Sequence, residues 1–373
     1  MFSLTKQIHY FLNRELSELY LSVAIRTFAM SLISIFVPIY LLNIGYTLVE
    51  VLLFFMTFCV FHAVFSFFAA KFSLKAGLKH SIALSIPFLI FYFVLLYTIQ
   101  SYNWPLALLA LVAAVQNSLF WISFHTDFAR FSNKKLRGEE FSILRLITST
   151  LNVVGPLVGA LIISFVSFYY LFLFVSSLLI ISLIPLFYSK DVKIRHDVSL
   201  KRVFKASSPK NFIVFMGSGA ELGGSGVIWP IFIFLIVGTY LSLGIITSIA
   251  TFLSLITVFI VGRMCDRFKR GSILKIGSVA HSVTWFFKSI ASTGPQIILV
   301  NSISGIISSF KDIPYNAMVY DKANKKSIVE FIVFREIALQ IGKLIFFSLI
   351  ILLVFLSRGL ILAGFASLFY LLF

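Results

Sequence analysis

The chain has 373 residues, of which 60% are hydrophobic and only 12% are charged, and its formal net charge is +17. A soluble globular domain carries about 25% charged residues, so the composition excludes a water-exposed body of this size and favours a lipid bilayer as its solvent. The two cysteines, Cys59 and Cys265, are too few for a disulfide framework or a cysteine-rich metal site. We therefore expect no metal and no other cofactor.

The apolar runs are long and continuous, without the alternation of barrel strands, so the spans must be helical. Before the first span, residues 1–18 have one apolar and one polar face, which predicts a short helix lying on the membrane surface. A window of about 20 residues then predicts about twelve spans. Their centres lie near Met30, Cys59, Ile90, Ala114, Val153, Val175, Gly224, Leu253, Val283, Gly305, Leu344 and Ala366.

Basic residues collect in alternate loops. The loops around Ile44, Tyr102, Ser167, Thr239 and Gly294 contain no Lys or Arg, and the last loop of that set contains only Arg358. The positive-inside rule places the basic set, with both chain termini, in the cytoplasm. We therefore expect a multi-pass protein of the cytoplasmic (plasma) membrane, and we attribute the positive charge to this rule rather than to nucleic-acid binding. The basic set comprises Lys71, Lys75, Lys79, Arg130, Lys134, Lys135, Arg137, Arg263, Arg267, Lys269, Arg270, Lys322, Lys325 and Lys326.

The two halves of the chain are spaced like copies of one unit. Four landmarks of the first half recur in the second half. Two of them recur 192 residues later (230 − 38 = 192) and the other two recur 190 residues later (330 − 140 = 190). Residues 19–188 and 211–373 are therefore predicted to form two six-helix bundles. The basic segment 189–210 connects them, either as a solvated linker or as a segment resting on anionic lipid. The landmarks are Pro38 and Pro230, Lys75 and Arg267, Glu140 and Glu330, and Arg145 and Arg335.

The stretch between the eighth and ninth spans has a distinctive order of residues: Gly262, then Asp266 and Arg267, then Lys269 and Arg270. It resembles the signature loop of the major facilitator superfamily (MFS) of transporters. The resemblance implies that the glycine allows close packing, that the aspartate caps a helix and that Arg267 pairs with an acid across the interface between the halves. A basic loop that only sets topology is the alternative.

The same resemblance implies a cytoplasmic gate formed with span five, whose entry carries Glu140 and Arg145. Their second-half counterparts, Glu330 and Arg335, are assigned to the same gate. Lys75 belongs to the first-half copy of the loop, in which Ala and Leu replace Gly and Asp, so we expect weaker contacts there. Asp127, near the cytoplasmic end of span four, is expected to be a further gate charge.

A second motif, in span five, is Gly155-Pro156-Leu157-Val158-Gly159, followed by Ala160. It is similar to the Gly-Pro motif of drug–proton antiporters in the superfamily, which ends in Gly rather than Ala. Proline bends a helix and glycine permits close approach of a neighbour. The resemblance points to export, and an ordinary kinked packing helix is the alternative.

Two charges lie near the middles of apolar spans: Arg26 in span one and Glu221 in span seven. Such a charge costs about 2.5–3.5 kcal/mol on the insertion scale, so it usually faces a wet cavity or a partner. The offset of 192 maps position 26 onto 218, about one turn from Glu221. We therefore predict that the two face each other, with Glu221 carrying a proton or binding substrate. A fixed structural ion pair is the alternative.

Further polar residues mark spans four and ten, which line the central cavity in the family. Gln116, Asn117 and Trp121 lie in span four and Asn301 lies in span ten. We interpret them as groups that bond the substrate, and hydrogen bonding between helices is the alternative. Lys343, deep in span eleven, favours an anionic group on the substrate.

Taken together, the residues and the resemblance predict an all-α integral membrane protein with twelve helices in two pseudo-symmetric bundles, the MFS fold. We expect a monomeric secondary transporter of a small molecule that works by alternating access, with protons as coupling ion and export as direction. An uptake symporter of a small, anionic solute is one alternative, and a non-transporting receptor or lipid scramblase is another. The sequence has no Walker loop, nucleophile elbow or His-x-x-x-His pattern, so we expect no enzyme activity.

Overall fold

The structure is a computed structural model that describes residues 14–131, 137–188, 191, 197–324, 327–353 and 355–373. Within these ranges nearly all of the backbone is helical and no strand occurs. Residues 1–13 of the predicted surface helix lie outside the described residues, as do residues 189, 190 and 192–196 of the predicted linker.

Among the described residues, the first half contains six spans. Their bounds are Arg14–Ser31 with Val37–Asn43 for span one, Leu48–Ala76 for span two, Leu78–Tyr102 for span three, Leu106–Phe131 for span four, Arg137–Phe165 for span five, and Phe168–Ile181 with the 3-10 turn Ile184–Phe187 for span six.

A short helix, Leu200–Lys205, precedes the second half. The next six spans are Pro209–Gly223 with Trp229–Val237 (seven), Tyr240–Arg267 (eight), Arg270–Ile290 (nine), Gly294–Asn324 (ten), Ile328–Leu353 (eleven), and Leu356–Leu368 with Phe369–Leu372 (twelve). Over the described ranges, ten spans are long and apolar enough to cross a membrane. The other two are span nine, which carries several charges, and span twelve, which is shorter.

Local sequence explains where several spans begin and end. Span two starts with a capping box, in which Thr47 Oγ1 accepts from the Glu50 amide and the Glu50 carboxylate accepts from the Thr47 amide. Gly77 ends this span at φ 115°, a conformation that side chains disfavour, so span three can begin at once. Gly238 ends span seven in the left-handed region at φ 72°.

Spans one and seven are both interrupted, and at equivalent places. Span one has a turn at residues 32–36 before it resumes at Val37, and span seven has a π-helical segment, Gly224–Ile228, before it resumes at Trp229. These starts are 192 residues apart (229 − 37 = 192), the offset found in the sequence. The structure therefore confirms the predicted pseudo-symmetry of the two bundles, and interrupted helices of this kind often mark functional sites.

The packing repeats in the two halves. Span one packs on span five as span seven packs on span eleven, and span two packs on span four as span eight packs on span ten. Between the halves, the main contacts join span five to span eight and span two to span eleven.

The glycines of the span-five motif lie where helices approach closely. A Cβ on Gly155 would collide with the Ser31 side chain, and one on Gly159 would collide with the Leu32 carbonyl oxygen. On the other face, a Cβ on Gly244 of span eight would lie 2.6 Å from the Pro156 carbonyl oxygen. The motif therefore joins spans one, five and eight, which is the packing role expected of small residues in a membrane.

Both described ends of the chain lie on the same side of the bundle as the basic loops. Glu18, early in span one, bonds Lys79 at 2.9 Å, and the ring of the last residue, Phe373, lies 3.3 Å from Lys322 Nζ. We call this membrane face the basic side and the opposite one the far side.

Candidate functional site

A cavity of about 770 Å³ lies between the two halves. Its walls come from spans one, four and five of the first half and from every span of the second half. The volume is in the range of small-molecule sites, roughly 300–1,000 Å³. Most of the polar and charged side chains on its walls belong to the second half.

A buried cluster of charges centres on Glu221. Lys311 Nζ of span ten lies 2.6 Å from Glu221 Oε1 and 2.9 Å from an Asp312 carboxylate oxygen. His281 Nδ1 of span nine lies 3.2 Å from the same Glu221 oxygen. Glu221, Lys311 and His281 are almost fully buried, yet all of them line the cavity. Lys311 is thus shared between two carboxylates.

The second carboxylate oxygen of Glu221, Oε2, is buried and has no hydrogen-bond partner among the described residues. Buried polar atoms are nearly always hydrogen-bonded, so an unsatisfied carboxylate oxygen requires an explanation. A proton on this oxygen removes the negative charge that would otherwise be desolvated there. The Glu221 carboxyl group is therefore a candidate for taking up a proton.

A second cation in the cavity, Lys288 of span nine, lies between two indole rings. Its Nζ is 4.2 Å from the Trp285 ring centroid and 4.9 Å from that of Trp229. Trp229 is held by a hydrogen bond from its Nε1 to Asn301 Oδ1 at 2.8 Å, and Asn301 Nδ2 donates in turn to the Ile246 carbonyl at 3.3 Å. Asn301 therefore positions a cavity wall and also lines the cavity.

Arg26 and Glu221 lie inside the bundle, each 6% exposed, but the prediction that they face each other is wrong. An Arg26 guanidinium nitrogen donates to Gln116 Oε1 at 3.3 Å, and its central carbon lies 3.4 Å from the Phe120 ring centroid. Each charged side chain contacts residues of its own half: span four supplies the contacts of Arg26, and spans nine and ten supply those of Glu221. The sequence offset between the halves did not predict that Lys311 and His281 contact Glu221.

Of the other predicted site residues, Trp121 and Asn301 line the cavity and Gln116, Asn117 and Lys343 do not. Asn117 accepts from Trp121 Nε1 at 3.0 Å and donates to the Ala113 carbonyl at 3.2 Å, so it is satisfied within span four. Lys343 is not on the cavity wall because it lies on the side of span eleven that is close to His62 of span two.

The signature loop is shorter than predicted, because span eight continues as a helix to Arg267. Gly262, Asp266 and Arg267 thus lie in its last turns, and the Asp266 side chain is outside the described residues. Arg267 and Lys269 are exposed, and no acid of the described residues lies within salt-bridge distance of Arg267. The acid expected to pair with it across the halves, Glu140, has its side chain outside the described residues, so this ion pair stays a prediction.

The remaining predicted gate residues are dispersed. Arg270 pairs with Asp321 of its own half at 2.9 Å, Lys75 is exposed, and Asp127 is buried in the last turns of span four. Glu140 and Arg145 lie on span five, but their side chains are outside the described residues.

Glu330 and Arg335 are both buried at the start of span eleven. The nearest described cation to Glu330 is Arg202 of the short linker helix, at 3.5 Å. Arg335 bonds the adjacent Glu336 at 2.7 Å and lines the cavity. These two residues therefore belong to the linker contact and to the cavity wall, respectively.

Polar contacts join the halves on the basic side of the cavity. His125 Nδ1 of span four lies 2.7 Å from the Tyr320 hydroxyl of span ten. Nearer the middle of the bundle, His62 Nε2 of span two lies 3.7 Å from a Glu336 carboxylate oxygen of span eleven. Both pairs are buried and neither was predicted.

On the far side the contacts between the halves are mainly aromatic. Tyr240, at the start of span eight, lies 6.0 Å from Phe36 and 5.4 Å from Phe168, measured between ring centroids, and its hydroxyl bonds Asn43. The halves therefore touch on both sides of the cavity.

The sequence interpretation missed the three cavity residues of span nine. His281, Trp285 and Lys288 are spaced i, i+4 and i+7, which places them on one helix face. This spacing within an apolar run was a usable signal. The family resemblance implies cavity walls from spans one, four, seven and ten, and therefore gave no expectation for span nine.

The sequence model of the Major Facilitator Superfamily matches residues 19–220, more than half of the chain. The chain belongs to this family. No curated protein sequence is similar enough to count as a match.

Solved structures of family members have the same fold. The Escherichia coli fucose:proton symporter FucP has a TM-score of 0.69 at 11% identity, covering 96% of this chain and 97% of its own. The human organic anion transporter MFSD10 has a TM-score of 0.67 at 12% identity, covering 96% and 99%. A bacterial homologue of the iron transporter ferroportin, in an outward-facing state, has a TM-score of 0.70 at 12% identity, covering 95% and 97%. At these identities the likeness concerns the fold alone.

Proposed function

We propose that this MFS protein is a proton-coupled secondary transporter of a small molecule, with Glu221 as the group that carries the proton. The observation on which this depends is the buried Glu221 carboxylate in the cavity, with one oxygen bonded by Lys311 and the other without a partner among the described residues. Intramembrane carboxylates are costly, so one that faces a cavity is a functional candidate by default.

The charges around Glu221 explain how a proton can control the carrier. Lys311 and Asp312 face Glu221 from span ten, His281 and Lys288 from span nine, and Tyr370 from span twelve. When Glu221 is ionised, Lys311 is shared between two carboxylates. A proton on Glu221 leaves Lys311 paired with Asp312 alone, so the glutamate itself carries no charge when it is closed off from water.

Alternating access requires that the contacts on the two sides of the cavity open in turn. The His125–Tyr320 bond holds the basic side and the contacts of Tyr240 hold the far side. The interruptions of spans one and seven adjoin the cavity and provide places where these helices can bend. We therefore expect these contacts to break and these two helices to bend when one bundle rocks against the other.

The direction of transport stays a prediction. The Gly155-Pro156 motif favours export, and its packing role is compatible with either direction. The localisation in the plasma membrane and the cytoplasmic placement of the basic side are likewise proposals. The protein is proposed to act as a monomer.

The proposal is tested in proteoliposomes with an imposed pH gradient. Three labelled probes of different charge are offered: L-fucose, p-aminohippurate and tetraethylammonium. We expect the wild type to move at least one of them against its gradient, and Glu221→Gln to lose this accumulation while it still exchanges labelled for unlabelled probe. Glu50→Gln, which neutralises an exposed carboxylate at the start of span two, is the matched control and should behave as wild type.

The alternatives give different results in the same vesicles. A receptor binds a probe without moving it, and a scramblase moves fluorescent phospholipid between leaflets whatever the pH gradient. Accumulation that persists in Glu221→Gln rejects this residue as proton carrier, and a wild type that moves none of the probes rejects the transport proposal for these solute classes.

A further inference from the structure

Among the described residues, one cation of the cavity has no direct salt bridge. Lys288 is 4% exposed, and no carboxylate oxygen of the described residues lies within salt-bridge distance of its Nζ, so the charge of Glu221 acts on it only at longer range. Lys311, by contrast, is already bonded by the Glu221 and Asp312 carboxylates. A buried ammonium normally has an acid directly beside it, so the lack of a contacting carboxylate among the described residues is a property of this site.

The surroundings of Lys288 are aromatic as well as cationic. The indole rings of Trp285 and Trp229 flank its ammonium group, and both rings line the cavity. The Trp285 Nε1–H is a buried donor that has no acceptor in the described part of the chain. Flat apolar faces beside an unpaired cation suit a ligand that has an acidic group attached to a flat, apolar body.

We infer that the cavity binds an organic anion, a carboxylate on an aromatic or similarly flat body, with its carboxylate on Lys288 and its body against Trp229 and Trp285. This inference names the substrate class of the proposed transporter and rests on that proposed function. It replaces Lys343, which does not line the cavity, as the residue that recognises the anion.

The charge balance of the site favours binding the anion together with a proton. With Glu221 ionised, the two carboxylates offset Lys311 and Lys288. With Glu221 protonated, the four groups carry one net positive charge, which the anion neutralises. The closed conformation, in which the cavity is shut off from water, has the lowest free-energy cost when the loaded cavity is electrically neutral. Anion and proton then move in the same direction, as in the symport alternative.

The test is an equilibrium binding measurement on purified protein in detergent, which requires neither a membrane nor a gradient. The probes are p-aminohippurate and its uncharged primary amide. We expect the anion to bind and the amide to bind at least about tenfold more weakly, since a charge-assisted hydrogen bond contributes this much affinity.

Three lysine variants separate the role of this charge from general effects. Lys288→Met should weaken p-aminohippurate binding at least about tenfold, while Lys288→Arg should stay within a few-fold of wild type. Lys275→Met removes an exposed lysine of the same span and should leave binding unchanged. If Lys288→Met does not fold, two measurements still test the inference: the binding of anion against amide by the wild type, and the binding of the anion by Lys288→Arg.

Equal binding of anion and amide, undiminished binding by a folded Lys288→Met variant, or the absence of p-aminohippurate binding to the wild type would each overturn the inference. These results are independent of proton coupling. If p-aminohippurate binds through Lys288 but Glu221→Gln still accumulates it, the coupling proposal fails and the inference stands. If Glu221→Gln abolishes accumulation of L-fucose and the anion does not bind, the coupling proposal stands and the inference fails.

Discussion

The sharing of Lys311 between two carboxylates predicts that its loss destabilises the protein far more than the loss of Glu221. Lys311→Met leaves the Glu221 and Asp312 carboxylates close together without the ammonium group between them. Removal of one partner from a buried ion pair typically costs about 3–5 kcal/mol. Glu221→Gln leaves Lys311 with its 2.9 Å contact to Asp312, so we expect a cost of only about 1–2 kcal/mol, that of a weakened hydrogen bond.

The assay is unfolding by SDS in mixed micelles, followed by far-UV circular dichroism. Combining Lys311→Met with Glu221→Gln should recover part of the stability that Lys311→Met loses, because the amide removes one of the two unpaired charges. Lys275→Met, an exposed lysine, serves as control and should stay within about 0.5 kcal/mol of wild type. Equal costs for the two single variants, or strictly additive costs in the double variant, would refute the reasoning.

Two further predictions concern helix packing and gating. Gly342→Ala should lower the free energy of unfolding by about 1–3 kcal/mol in the same assay, because its Cβ would collide with the Met216 carbonyl oxygen, whereas Gly226→Ala meets open space and should be neutral; equal effects would contradict this packing. Tyr320→Phe removes the 2.7 Å hydrogen bond with His125, which stabilises the closed basic side by about 1 kcal/mol. The population of the conformation that is open on the basic side should therefore rise about fivefold. Hydrogen exchange at the basic-side ends of spans four and ten should then quicken, and unchanged exchange would show that this bond does not hold the gate.

The sequence predicted the fold well because the bilayer limits the choices. Three features were enough to predict twelve spans in two related bundles: the length of the apolar runs, the alternation of basic loops and the recurrence of Pro38 at Pro230. The same offset of 192 even relates the interruptions of spans one and seven. Such features are local, or repeat at a fixed spacing, and can be read without knowledge of which side chains meet.

The site was only partly predictable, because its contacts depend on helix rotation and on small shifts along the spans. Glu221 was recognised as a charge amid hydrocarbon and does line the cavity. Its partners Lys311 and His281 could not be deduced from an offset that relates span one to span seven. Lys343 and Lys288 lie in similar apolar contexts in the sequence, and only the fold shows which of them lines the cavity.

The number of protons taken up with each solute molecule tests the central claim, that Glu221 carries the coupling proton, most directly. Vesicles loaded with the pH indicator pyranine report proton movement while the labelled probe is counted in parallel. The account predicts about one proton per molecule for the wild type and none for Glu221→Gln, whose exchange of probe continues. A Glu221→Gln variant that retains the wild-type ratio would contradict it.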